Sequence, residues 1–186
     1  MKQLVLLYWG CVFLMYLSQT GKRHFMLRRA DIFMIVVIAW MTCFSFLRTS
    51  YNDTLNYISA FTNVQSVAEG VANGTFTDWT GNPWSMLYRS FMRSITDNYH
   101  IYFFLPAFLS SFAVVKLCKR YSINPAFSLL IFFSVGTYIT YVAAMKQCAA
   151  MFFLLMALPY AIDKKYVKFY LLVFVAIMFH THAFMF

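Results

Sequence analysis

Six long apolar runs, roughly 3–18, 30–47, 98–117, 126–144, 148–162 and 168–186, divide this chain, and each lies near the ~20 residues a helix needs to cross a bilayer. Backbone groups left unpaired in hydrocarbon cost several kcal/mol, so a spanning segment must be a helix or part of a closed barrel. No ten-residue stretches of alternating hydrophobicity occur, which disfavours a barrel. The expected fold class is therefore all-α: a polytopic integral membrane helical bundle of about six spans, forming one membrane domain over 1–186. The fifth run is the shortest. Composition agrees, with 62% hydrophobic and 11% charged residues against the roughly 25% charged residues of soluble domains. A net charge of +9 in a soluble chain would point to nucleic acid. Here the excess falls in loops beside anionic headgroups, so membrane lipid is the expected partner and nucleic acid is not.

Ten of the fifteen Lys and Arg residues lie in three short segments: Lys22, Arg23, Arg28 and Arg29; then Lys116, Lys119 and Arg120; then Lys164, Lys165 and Lys168. Basic loops stay on the cytoplasmic side. That puts the N-terminus outside, 48–97 in a long outer loop, 136–147 in an outer turn, and the end of the chain outside again. The first run reads as a retained span rather than a signal peptide, because no small-residue cleavage site follows Leu17. Gly10-Cys11 resembles a lipidation site, but the bulky Tyr8-Trp9 before it do not fit one. Cys11, Cys43, Cys118 and Cys148 are scattered without CxxC spacing, so neither a metal knuckle nor a disulfide framework is expected. The chain stops within or just after an apolar run without a polar tail, which reads as a truncated protein.

Candidate chemistry gathers on the outer side. Ser50-Tyr51-Asn52-Asp53 is placed to cap a short helix running through Tyr57 and Phe61, with Asp53 and Tyr57 on one face. Gly74, Gly81 and Pro83 interrupt the loop. Beyond Pro83, residues 84–93 read as an amphipathic interfacial helix, with Arg89 and Arg93 four apart and Leu87, Phe91 and Ile95 on another side. The two arginines either anchor to lipid phosphates or grasp a diphosphate, whose oxygens match guanidinium forks. Lys146-Gln147 interrupts an apolar stretch, where an ionisable group faces a cavity or snorkels to the interface. His180 and His182 end the sixth run. Two apart, they fall on different helical faces, a poor spacing for a shared metal.

In order, Phe46-Leu47-Arg48 with Asp53-Thr54 and Tyr57, Asn82-Pro83-Trp84, Met145-Lys146-Gln147 and Phe179-His180-Thr181-His182-Ala183 resemble the EpsG-type family of bacterial exopolysaccharide and O-antigen polymerase-like membrane proteins. The resemblance implies a GT-C-like fold in the bacterial cytoplasmic membrane. It also implies a polyprenyl-diphosphate-linked oligosaccharide substrate at the outer leaflet, and a reaction that transfers a growing glycan onto the next unit. Other polysaccharide assembly proteins are then possible partners. Within that picture Arg48, Asp53, Lys146 and His180 are the candidate catalytic residues, the cations stabilising the departing diphosphate and Asp53 or His180 serving as base. Tyr57, Trp84, Arg89, Arg93, Gln147 and His182 are the candidate substrate-binding residues. No GxGxxG, Walker lysine motif or HExxH occurs, and no cofactor or metal is expected. A lipid-linked glycan flippase and a nonenzymatic assembly subunit are the alternatives. A flippase would line a path across the whole membrane with polar groups, whereas the candidates here collect on one side.

Overall fold

A computed structural model describes residues 2–17, 23–74 and 82–185. Lys22 of the first basic segment, Asp78 and Gly81 of the 48–97 segment, and Phe186 lie outside the described residues. Among the described residues every regular element is helical: α1 (Lys2–Leu17), α2 (Arg23–Phe46), α3 (Thr54–Thr62), α4 (Val67–Ala72), α5 (Pro83–Ile95), α6 (Tyr99–Tyr121), α7 (Pro125–Ser134), α8 (Thr137–Ala143), α9 (Met145–Ile162) and α10 (Tyr166–Phe179). A 3-10 turn, Thr181–Met185, follows. Arg23, Arg28 and Arg29 belong to the first turns of α2, and Lys116, Lys119 and Arg120 to the last turns of α6, so much of the basic charge is helical rather than in loops.

Helices α6 and α9 are long and apolar enough to cross a membrane, and four shorter apolar helices accompany them, Val5–Leu17, Met34–Phe46, Pro125–Ser134 and Tyr166–Phe179. The fourth apolar run is not one continuous helix. Gly136 takes φ +77, in the left-handed region where glycine pays no Cβ penalty, and its N–H bonds the Phe133 carbonyl at 3.0 Å. Helix α7 therefore stops after 10 residues, about 15 Å, half the thickness of a hydrocarbon core. The fifth run begins at Met145 rather than 148, which puts Lys146 and Gln147 in the first turn of α9. The sixth ends at Phe179, where His180 takes an extended backbone as the C-cap and His182 falls in the 3-10 turn that follows.

Packing runs from α1 through α2, α6 and α9 to α10, with α7 laid on α1. One core joins Leu7, Cys11 and Met15 of α1 to Val37 and Met41 of α2, Val115 of α6, Leu129 and Phe133 of α7, and Tyr138 of α8. Gly10 makes room for the Trp40 ring, since a Cβ there would come within 2.5 Å of it. A second core fills the α9–α10 interface around Leu154, Ala157, Val173 and Ala176. A third, formed by Phe61, Met92, Tyr102, Phe103 and Met145, ties α3 and α5 to the starts of α6 and α9. That third core is the floor on which the polar residues of the 48–97 segment stand.

Candidate functional site

The first turns of α6 and α9 meet the end of α2, and α3 and α5 are folded over them. Residue by residue, the sequence explains why. Asn98 caps α6, its Oδ1 accepting the His100 N–H at 2.9 Å, and His100 Nδ1 lies 2.9 Å from the carbonyl of Phe46, one of the four that the end of α2 leaves without a helical donor. Pro83 opens α5 at its first position, where a missing N–H costs nothing. Pro106 inside α6 has no N–H for the carbonyl four residues earlier, Tyr102, and the Tyr88 hydroxyl of α5 supplies the donor instead at 2.7 Å. Burial pushes the Tyr88 phenol well above its usual pKa, so it remains a donor at all ordinary pH. The far side of α5 is tied to the end of the chain by the Thr181 N–H, which donates to Asn82 Oδ1 at 3.0 Å.

Arg48 stands two residues past α2. Its Nη1 donates to the Val142 carbonyl at the end of α8, and its guanidinium lies over the Phe103 ring, 4.6 Å from the centroid. Nε and Nη2 are buried with no hydrogen-bond partner. Burial holds the Arg48 pKa below its usual value, and the groups that oppose this are Cys148, Tyr57, Tyr138 and Tyr102, none of them a carboxylate. A cavity of about 580 Å³ opens beside it, walled by Trp40, Leu47, Tyr51, Tyr138 and Ile139.

Tyr57 faces Arg48 from α3. Burial raises its phenol first, while a hydrogen bond to the Lys146 backbone and the Arg48 charge work the other way. Asp53 lies within electrostatic reach of Tyr57. It occupies the N-cap position of α3 but makes no side-chain cap; Thr54 Oγ1 instead donates to the Tyr51 carbonyl at 2.5 Å. Among the described residues Arg48 and Asp53 form no ion pair, and the Arg93–Asp97 and Lys165–Asp163 pairs lie elsewhere.

Three further cationic or imidazole groups close the ring. Arg89, on the inner side of α5, has a buried Nε without a partner and acts electrostatically on Tyr102 and Lys146. Lys146 is half-buried at the start of α9. His180 has a buried, partnerless Nδ1, and burial, then His182 and Lys146, lower its pKa, so its ring is mostly neutral at pH 7. The His180 and His182 ring centroids are 5.1 Å apart, edge to face. The 3-10 turn thus brings together two rings that a continued helix would have separated.

The other candidates stand apart. Arg89 and Arg93 do not form a paired clamp: Arg93 is held by Asp97 at 2.6 Å, four residues on, and lies over Phe61 at 5.8 Å. Trp84 packs edge to face on Phe179 at 5.9 Å, joining α5 to α10. Gln147 is exposed, as is His182. Sequence reasoning did not single out Tyr88, Tyr102, Tyr138 or His100. For Tyr88 the available signal was Pro106, which implies an orphaned carbonyl at Tyr102. Tyr138 is fully buried under Arg48, its hydroxyl donating to the Met41 carbonyl at 2.8 Å, and nothing in the spacing of an aromatic-rich helix marks it.

Five buried side-chain polar atoms lack a partner among the described residues, and four of them belong to Arg48, Arg89 and His180. Each such group costs about 1–3 kcal/mol unless something accepts its hydrogen bond. With Lys146 among them, the arrangement suits an anion. No curated protein and no solved structure matches the chain. The family model for the EpsG family matches residues 31–186, which takes in all the helices around the site. The chain therefore belongs to the EpsG family, a membership that points to a membrane protein of polysaccharide biosynthesis.

Proposed function

We propose that this protein is a membrane glycosyltransferase of the polymerase type that joins polyprenyl-diphosphate-linked oligosaccharide repeat units. The reaction is proposed to occur at the outer leaflet of the bacterial cytoplasmic membrane, in a multi-pass chain with its N-terminus outside. The observation that carries this reading is the set of partnerless guanidinium donors on Arg48 and Arg89 beside Lys146, with the partnerless Nδ1 of His180 next to them. Such donors are most valuable where negative charge develops, and a diphosphate leaving group develops it as the bond to the anomeric carbon breaks. The acceptor hydroxyl forms the new bond to that carbon and gives its proton to a base. His180 serves because its lowered pKa leaves the imidazole neutral and able to accept, and Asp53, next to Tyr57, is the other base within the cluster. Tyr57 contributes a ring and a hydroxyl for a sugar.

The test is Asp53→Asn and His180→Ala in the complete protein in cells, scored by glycan chain length at matched protein level. Single lipid-linked repeat units accumulating on the outer leaflet are the expected result. Long chains from both variants would remove the base assignment, and units trapped on the inner leaflet would replace polymerisation by transport.

A further inference from the structure

At the opposite end of the long helices a second polar crevice opens, with no part in the site above. It lies between the C-terminal ends of α6 and α9, encloses about 310 Å³, and is lined by Lys116, Arg120 and Lys165, one carboxylate, Asp163, and the apolar Leu117 and Met156. Asp163 is committed to Lys165, 3.2 Å away. Lys116 and Arg120 lie beside aromatic rings by contrast, Lys116 Nζ 5.2 Å from the Phe112 centroid and the Arg120 guanidinium 5.2 Å from that of Tyr121. Lys168 reaches toward the same place over Tyr160, at 5.8 Å. Two cations thus line a crevice whose one lining carboxylate is already paired.

We propose that this crevice binds the phosphate headgroup of an anionic phospholipid. A free phosphate would have no use for Leu117 and Met156, whereas a phospholipid lays its glycerol and first acyl carbons on them. A basic pocket between membrane helices is the arrangement that selects anionic over zwitterionic headgroups. The two ends of α6 are about 34 Å apart, from its 23 residues, so the site is independent of the chemistry proposed at the other end.

The experiment is native mass spectrometry of the full chain, released from nanodiscs of mixed phosphatidylglycerol and phosphatidylcholine. Wild-type protein is expected to retain phosphatidylglycerol in preference to phosphatidylcholine. Lys116→Gln with Arg120→Gln is expected to lower that retention by about fivefold per cation removed. Lys164→Gln, which removes an exposed charge outside the crevice, should leave it unchanged, and Lys116→Arg with Arg120→Lys should restore it. Equal retention of the two lipids, an unaffected double Gln variant, or an equal loss in Lys164→Gln would each overturn the proposal. Displacement of phosphatidylglycerol by millimolar inorganic phosphate would assign the crevice to a free anion and overturn the lipid.

Discussion

The two ends of this bundle both carry positive charge, and they carry it in opposite ways. At one end Arg48, Arg89 and His180 have buried nitrogens with no partner, while at the other Lys116, Lys119, Arg120, Lys164, Lys165 and Lys168 are exposed. Exposed cations keep most of their water and cost little, so what that end can bind rests on the crevice around Lys116 and Arg120 rather than on the number of its charges. The buried guanidiniums of Arg48 and Arg89 give up solvation, and the fold holds them, with the neutral His180 ring beside them, against that cost. The difference teaches that bond-making chemistry belongs at the end where a few buried nitrogens are held without partners, whereas the more highly charged end is suited to binding alone.

That contrast breaks first, and most visibly, at Arg48. Arg48→Gln is expected to reduce polymer synthesis by about 10²–10³-fold, the usual cost of deleting one preorganised donor. Lys164→Gln should leave synthesis within about twofold of wild type, as surface substitutions usually do. Glycan yield at matched protein level measures both, and equal effects would erase the distinction between the ends.

Within the site end, Arg89→Lys and Arg93→Lys separate an inward guanidinium from one held by Asp97. Lysine keeps the charge and loses the forked geometry, so Arg89→Lys should lower activity by about tenfold or more while Arg93→Lys changes it little. A similar loss in both would restore the paired clamp that the spacing of four suggests.

Tyr88→Phe removes the donor that the Tyr102 carbonyl lost to Pro106. Stability should fall by about 1–3 kcal/mol, read as a lower unfolding temperature. His180 gives a pH test of the same burial. Its folded pKa lies below the ordinary 6.5, so its share of stability is present above 6.5 and is lost as pH falls through the lowered value. Activity should fall over the same acid range, and His180→Gln should flatten the stability change. The smallest effect belongs to Asp97→Asn, whose exposed pair with Arg93 is worth under about 1 kcal/mol.

Hydropathy alone located most of the helices, because a buried or lipid-facing stripe has to be apolar whatever its neighbours are. It was blind to Gly136, where a backbone angle rather than a change in polarity ends α7. Short spacing rules placed Arg89 and Arg93 on one side of α5, yet the same rule applied once more joins Arg93 to Asp97, and the closer partner wins. For His180 and His182 the premise of a continuing helix misled, since the 3-10 turn changes which residues are adjacent. Phe103, Val142 and Cys148, which meet at Arg48, come from α6, α8 and α9, 55 to 100 residues away in the chain, and no local pattern encodes that meeting.

Both α6 and α9 begin at the site and end among the lysines. Peptide dipoles aligned along a helix leave about half a positive charge at its start and half a negative charge at its end. The two long helices therefore aim their positive poles at the Arg48 cluster and their negative poles at the basic crevice. This field has no proton to lose. Raising the pH until Lys146 is neutral, or replacing His180, leaves it in place, so part of the preference for anions is written into the backbone and survives any single side-chain change.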